Sequence, residues 1–290
     1  MAEPRWSSYA SYLLVFVFGA AVLWALAGAL FSEDASVATA EHRYALGGTA
    51  ARCEPGRGAE RAPVQRIRLG ADRLLVATPS NYDASVLHPL LLVFAPAGAS
   101  ALASEGFLGL TETATRAGFV VAYASSRPLS AGVLQEFGTL ALKLAEGWCI
   151  DTQRVAYAGH SDGGTAALAM GFLDGIAVPP AAIVASAAGI RGQDIASYRC
   201  PTGVPLQQWH GRADELFPPP EYGREVFRWW SRCSDADFAE TAPANCNTQH
   251  HQRLVSQGGY CEHSGAHLAW PADGEATMLA FLQRHTAADR

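Results

Sequence analysis

The sequence predicts an α/β fold, a mostly parallel sheet with helices on both faces, and three observations carry that prediction. Apolar runs such as Leu90 to Ala95 (LLLVFA) and Phe119 to Tyr123 (FVVAY) are continuous rather than alternating, as strands covered on both faces should be. Helical stretches separate these runs, which favours parallel pairing through right-handed crossovers. With 290 residues, 49% of them hydrophobic, the chain can bury a full-sized core in one domain.

Residues 1–12 read as a cytoplasmic n-region, and residues 13–31 (LLVFVFGAAVLWALAGALF) follow without a single charge. A helix of that length spans roughly 28 Å, enough to cross a hydrocarbon core of about 30 Å. Arg5 precedes the segment while Glu33 and Asp34 follow it, so the positive-inside bias places the remainder of the chain outside the cytoplasm. Two readings share this segment. Ala38-Thr39-Ala40 fits the cleavage site of a signal peptide, whereas the length of the apolar run favours an uncleaved membrane anchor. Either reading exports the domain, which is then membrane-anchored, or secreted or periplasmic after cleavage. Residues 32–62 read as a linker ending in a loop that carries Cys53, and the folded domain is expected over 63–290.

Within that domain, Ile67 to Leu69 and Leu74 to Thr78 predict an opening hairpin stopped at Pro79. A short helix ends near Gly118, a longer one is expected over 132–146, and Val155 to Ala158 is a strand followed by a helix from Gly163 to Gly171. Ala182 to Ala185, Pro205 to Trp209 and Arg253 to Ser256 are the remaining strand candidates. Helices over 219–232 and 273–285 fill the gaps between them. All six cysteines (Cys53, Cys149, Cys200, Cys233, Cys246 and Cys261) lie beyond the apolar segment, an even set that suggests up to three disulfides in an oxidising compartment. The formal charge of −6 leaves no basic footprint for nucleic acid.

The chemistry concentrates at Gly159-His160-Ser161-Asp162-Gly163. The pattern G-x-S-x-G is weak alone, but here a strand ends at Ala158 and a helix starts just after Gly163, the strand–turn–helix setting of a nucleophile elbow. A tight elbow requires small flanking residues and holds the serine at a helix N-terminus, where backbone N–H groups can stabilise an oxyanion. This specifies the α/β fold as an α/β-hydrolase fold with Ser161 as nucleophile. The triad of such folds runs Ser, then Asp or Glu, then His along the chain. Asp214, in His210-Gly211-Arg212-Ala213-Asp214 after the PLQQW strand, is the expected acid; Glu215 and Asp194 are the alternatives. His267 is the expected base with His263 as alternate, while His250 and His251 stand at the wrong end of the Arg253 to Ser256 strand candidate. His160 is read as packing beneath the turn. The backbone N–H of Asp162 is the first expected oxyanion donor. The second comes from the loop after LLLVFA, where Pro96 has no N–H and Ala97 or Gly98 supplies it. Gly265 interrupts the His263/His267 spacing and no compact Cys/His/Asp set occurs, so no metal site is expected.

Several separate stretches together resemble the secreted polyhydroxybutyrate-depolymerase-like and feruloyl/acetylxylan-esterase-like hydrolases. These are Leu75 to Asp83 (LVATPSNYD), His88-Pro89-Leu90, Gly118 to Tyr123 (GFVVAY), Trp148-Cys149-Ile150-Asp151 and Arg154 to Gly159 (RVAYAG). His210 to Asp214 with Phe217-Pro218, Trp229 with Cys233, and His267 ahead of Trp270-Pro271 complete the set. The resemblance runs from about residue 52 to 285. It implies a cofactor-free serine esterase acting on short-chain, polyester or aromatic esters, with Ser161, Asp214 and His267 at the family's triad positions and an ester, polymeric in some members, as partner. Two departures stand out: Ala95-Pro96-Ala97-Gly98 replaces the family's usual His-Gly, and Leu268-Ala269 separates His267 from Trp270. Two other readings are compatible with the residues, a tethered hydrolase-fold binding protein of weak or no activity and a serine peptidase.

Overall fold

The computed structural model describes Cys53 and residues 63–233, 244–245, 248–271 and 274–288. The expected n-region, apolar segment and linker lie outside the described residues, apart from Cys53. Among the described residues no helix is long and apolar enough to cross a membrane.

Among the described residues the sheet has nine strands: β1 (Val64–Leu69), β2 (Asp72–Ala77), β3 (His88–Phe94), β4 (Val120–Ala124), β5 (Ile150–His160), β6 (Ala182–Ser186), β7 (Leu206–Gly211), β8 (Ala244–Asn245) and β9 (Gly259–His263), in the order β1-β2-β4-β3-β5-β6-β7-β9-β8. The β1/β2 hairpin and the β2/β4 pair are antiparallel, and every other pairing is parallel. The central strands alternate their side chains between two cores. Leu90, Leu92 and Phe94 of β3 enter one of these cores with Tyr157 and Ile183. The helices α3 (Ala131–Phe137), α4 (Leu140–Gly147), α5 (Asp162–Phe172) and α7 (Glu225–Arg232) cover it. Leu91 and Val93 enter the other, under α1 (Ala101–Leu108), α2 (Leu110–Arg116), α8 (Thr248–Gln257) and α9 (Glu275–His285). A short α6 (Gly192–Ile195) and a π-helical turn at Pro220–Arg224 lie beside α7. The continuous apolar runs are thus strands buried on both faces, as expected from their sequence.

Two expectations are corrected. The helix anticipated over 132–146 is two helices, α3 and α4, broken at Gly138. There the carbonyl of Gly138 accepts from Ala177 N–H at 3.3 Å, and a Cβ would stand 2.7 Å from Ile176 Cδ1, so the break is packed against a neighbouring loop. Arg253 to Ser256 is not a strand but the last part of α8, and β9 follows it at Gly259–His263. The reason is one-sided burial: Leu254 is fully buried while Gln252, Arg253 and Gln257 are exposed, which a helix against one core satisfies and a doubly covered strand does not. Gly258, at φ 86°, ends the helix with its N–H donating to Leu254 O and lets the chain turn into β9.

Disulfides join Cys53 to Cys149 and Cys200 to Cys233, and Cys261 is also disulfide-bonded. Cys246 lies outside the described residues. The Cys53–Cys149 bond closes 96 residues, which in the chain-entropy account restricts the unfolded state by about 4–5 kcal/mol. Such bonds are compatible with an oxidising compartment.

Candidate active site

The elbow exists because three glycines allow backbone to pass backbone. Gly159 is paired with Phe94, so β3 and β5 leave the sheet side by side. A Cβ on Gly159 would fall 2.2 Å from the carbonyl carbon of Gly163, and one on Gly163 would fall 2.0 Å from Phe94 O. On Gly164 it would meet Ser186 O at 2.7 Å. Between these glycines Ser161 takes φ 58°, ψ −122°, a backbone state that costs about 1–3 kcal/mol. Its N–H donates to Ser186 O at 2.9 Å and its carbonyl accepts from Thr165 N–H at 2.9 Å, so sheet and helix together hold the strained residue. The hydroxyl therefore leaves the sheet edge at the N-terminus of α5.

Asp214 and His267 stand on two loops that are bonded to one another. Arg212 N–H donates to His263 O at 2.8 Å and Ala213 N–H to Gly265 O at 3.0 Å. Gly211 makes this approach possible, since a Cβ there would lie 2.3 Å from Gly265 O. Asp214 is buried, and its Oδ1 accepts from the N–H groups of Leu216 at 3.0 Å and Phe217 at 2.8 Å. Its Oδ2 lies 2.8 Å from His267 Nδ1, and His267 Nε2 lies 3.0 Å from Ser161 Oγ. A ring nitrogen facing a carboxylate must carry the proton, so neutral His267 donates from Nδ1 and presents the Nε2 lone pair to the serine hydroxyl. The ring of Phe217 stands edge-on to His267 at 5.0 Å and fixes its plane from the side.

The structure thus brings Ser161, His267 and Asp214 into one hydrogen-bonded line, and it separates them from their alternates. Glu215 is exposed. Asp194 is a surface residue held by Arg191 at 2.9–3.0 Å, which keeps its carboxyl below the usual range. His263 accepts from Gly265 N–H on Nδ1 at 3.1 Å and shapes the loop that carries His267. His250 and His251 lie on α8, not at the start of a strand. Asp162 opens α5, half-buried, with its carboxyl pushed up by burial. Ala97 and Gly98 are exposed in a turn closed by Ala99 N–H donating to Pro96 O at 3.0 Å, with Gly98 at φ 73° supplying the left-handed position. Only Ala95 separates this turn from Phe94, the partner of Gly159 in the sheet, so the turn starts near the elbow. Among the described residues no group of three or more His, Cys, Asp or Glu side chains is placed to hold a metal.

His160 is fully buried beneath the turn. Its Nδ1 is 3.2 Å from Ser186 Oγ, and the rings of Phe107, His267 and Trp270 surround it at 5.1, 5.4 and 6.3 Å. Burial first, and the neighbouring His267 second, pull its pKa down from 6.5 to about 4. Between those values the unfolded chain binds a proton that the folded chain refuses. Stability from this group is therefore complete above about pH 6.5 and is lost as pH falls toward 4, by up to about 3 kcal/mol. Burial also lowers His88, His210 and His263, which act with the same sign. Urea denaturation should accordingly show a lower midpoint at about pH 4.5 than at pH 7, with a smaller difference in His160→Gln; an equal difference in the variant would assign the loss elsewhere. His210 also stands against Asp214, a contact whose signal in the sequence is the spacing His210-Gly-Arg-Ala-Asp214 alone.

No family model matches the chain, and no curated protein matches it. Solved structures do. An esterase from the planctomycete Thermogutta terrifontis, described as thermophilic and solved with butyrate bound, is similar at 13% identity and TM-score 0.50, over 79% of this chain and 96% of that one. An acetyl xylan esterase from Aspergillus awamori is similar at 14% identity and TM-score 0.55, over 76% and 100%. A bifunctional GH43-CE protein of Bacteroides eggerthii gives 12% and 0.55, over 73% of this chain and 36% of that one. At these identities the likeness is one of fold. The mostly parallel sheet, its covering helices and these neighbours are consistent with an α/β-hydrolase fold.

Proposed function

We propose that the protein is a serine esterase, hydrolysing carboxylic esters through an acyl-enzyme on Ser161. The observation that carries this reading is the line Ser161 Oγ, His267 Nε2, His267 Nδ1, Asp214 Oδ2, with separations of 3.0 and 2.8 Å across its two hydrogen bonds. Ser161 Oγ attacks the ester carbonyl as its proton passes to His267 Nε2. The carbonyl electron pair moves onto oxygen, where the N–H of Asp162 and an N–H of Ala97 or Gly98 stabilise it. As the tetrahedral species collapses, the C–O bond to the alcohol breaks and His267 returns the proton to the leaving oxygen. Water then repeats the sequence on the acyl-enzyme, releasing the acid and the free serine. Asp214, held by two backbone N–H groups, orients His267 and stabilises its charged form throughout.

The substrates favoured by the sequence resemblance are short-chain, polyester and feruloyl- or acetyl-type esters, and the esterases that share the fold support that choice over peptide amides. Disulfides and the charge-free segment at 13–31 support an exported domain, anchored or released. The deciding test is treatment of the folded full-length protein with a fluorophosphonate, mapping of the adduct by mass spectrometry, and parallel assay of p-nitrophenyl acetate and butyrate against peptide p-nitroanilides. A single adduct on Ser161 with turnover of the esters alone is the expected result. An unlabelled protein that hydrolyses neither would favour a tethered binding protein, and preferential amide cleavage would favour a peptidase.

A further inference from the structure

Asp214 has a second histidine against the carboxylate oxygen that faces His267. His210, the fifth residue of β7, is fully buried, and its Nε2 lies 2.7 Å from Phe217 O and 3.2 Å from Asp214 Oδ2. Both neighbours of that nitrogen are acceptors, so Nε2 carries the ring's proton. On the far side of the ring, Gly223 of the π-helical turn closes in, with a Cβ position only 3.0 Å from His210 Nδ1. The ring is therefore boxed between that turn and the acid loop. We infer that His210 is a positioning residue for the triad: its N–H donates to Phe217 O while Nε2 stands 3.2 Å from Asp214 Oδ2, so that the ring dipole sets both the placement of the carboxylate and the share of its charge left for His267. The inference rests on the reading of Ser161, His267 and Asp214 as the catalytic triad.

The surrounding charges support this role. Glu262 and Tyr260 face His210 from β9, with Arg224 of the π-helical turn binding Glu262 through two bonds of 2.8 and 3.0 Å and Tyr260 Oη donating to it at 2.9 Å. The Glu262 charge is thereby held by its own partners. His263 at the end of β9, His267 on the neighbouring loop and His160 at the elbow complete the titratable groups around the ring. Burial and His267 both disfavour the charged form of His210, while Asp214, Glu262 and the Phe217 carbonyl favour it; burial is the largest influence and the ring's affinity for a proton is lowered. A neutral ring offers a dipole rather than a competing charge, so the carboxylate remains available to an imidazolium at His267.

Removing the donor leaves Oδ2 with less compensation, which strengthens its hold on a protonated His267. The acid limb of kcat/KM, which reports the proton on the general base of the free enzyme, then moves to higher pH. For His210→Phe, which keeps a ring in the box without the N–H, kcat/KM for p-nitrophenyl butyrate should fall by about tenfold or more at the optimum. The acid limb should rise by about half a pH unit. His210→Gln places an amide N–H near the original Nε2 and should restore most of both losses. If the phenyl ring prevents folding, His210→Asn, whose shorter amide cannot reach Oδ2, takes its place. A loss with the acid limb unmoved, a Gln variant no better than Phe or Asn, or full activity in the donor-less variant would each overturn the inference. Ser161→Ala is assayed alongside: undiminished hydrolysis there would reject the triad reading itself, a separate outcome.

Discussion

Ser161→Ala should reduce kcat for p-nitrophenyl esters by about 10⁵-fold or more and abolish fluorophosphonate labelling, with the fold intact. The size of the effect follows from the role proposed for the serine. In that mechanism its oxygen forms the bond that divides one difficult hydrolysis into two easier steps, and no neighbouring group can take its place. Asp162, the next residue, is a half-buried carboxyl at the helix start, and His267 without the serine can only activate water from a poorer position. A residual rate of roughly 10³-fold over water would reflect the oxyanion donors and substrate binding alone. Stability should hardly change, because alanine adopts the backbone state at φ 58° no more easily than serine does. Ser161→Gly, which relieves that strain, should raise the melting temperature while remaining equally inactive. Hydrolysis by Ser161→Ala at the wild-type rate would remove Ser161 from the mechanism.

Gly163→Ala is expected to have the largest structural effect of any single methyl group in the elbow. The added carbon would sit 2.0 Å from Phe94 O and 2.7 Å from the carbonyl carbon of the same residue, both backbone atoms at the end of a central strand. They cannot swing aside as a side chain would, so either α5 or β3 must move. Overpacking of this kind costs about 3 kcal/mol or more. For a domain of this size that is a fall in melting temperature of roughly 6–12 °C. Any shift of α5 carries the Asp162 N–H and Ser161 away from His267, and a displacement near 1 Å can cost about 10²-fold in rate. Gly106, inside α1 with nothing within 4 Å of its Cβ position, supplies the contrast. Gly106→Ala should stabilise by about 0.5–1 kcal/mol and leave activity unchanged. Equal melting temperatures for the two variants would show that the elbow tolerates a side chain and that the close approach at Gly163 is not required.

Much of the fold is legible in local patterns because burial on two faces leaves a direct imprint. LLLVFA and FVVAY have no polar position since neither face of β3 or β4 meets water. The elbow is legible for a related reason: glycine is the residue that permits backbone-to-backbone contact, so Gly159, Gly163 and Gly164 mark where chain segments touch before the partners are known. Chain order narrowed the acid and the base to a few candidates. Where burial is one-sided and the run short, local pattern is silent. Arg253 to Ser256 carries two apolar residues in four, which suits a strand or a helix equally, and the core above Leu254 decides between them.

The sequence by itself determined the α/β class, the serine at the strand–helix turn and the order of the residues expected to serve it. Only the tertiary structure decided that Asp214 rather than exposed Glu215 is buried against two backbone N–H groups, that His267 rather than His263 faces Ser161, and that His210 shares a carboxylate oxygen with it. The physical reason is that spacing along a chain records which positions are buried and where backbone must bend, both of which are local properties. The direction of a polar side chain depends on which loops meet, and here Arg212 and Ala213 bond to His263 and Gly265 across some fifty residues of sequence.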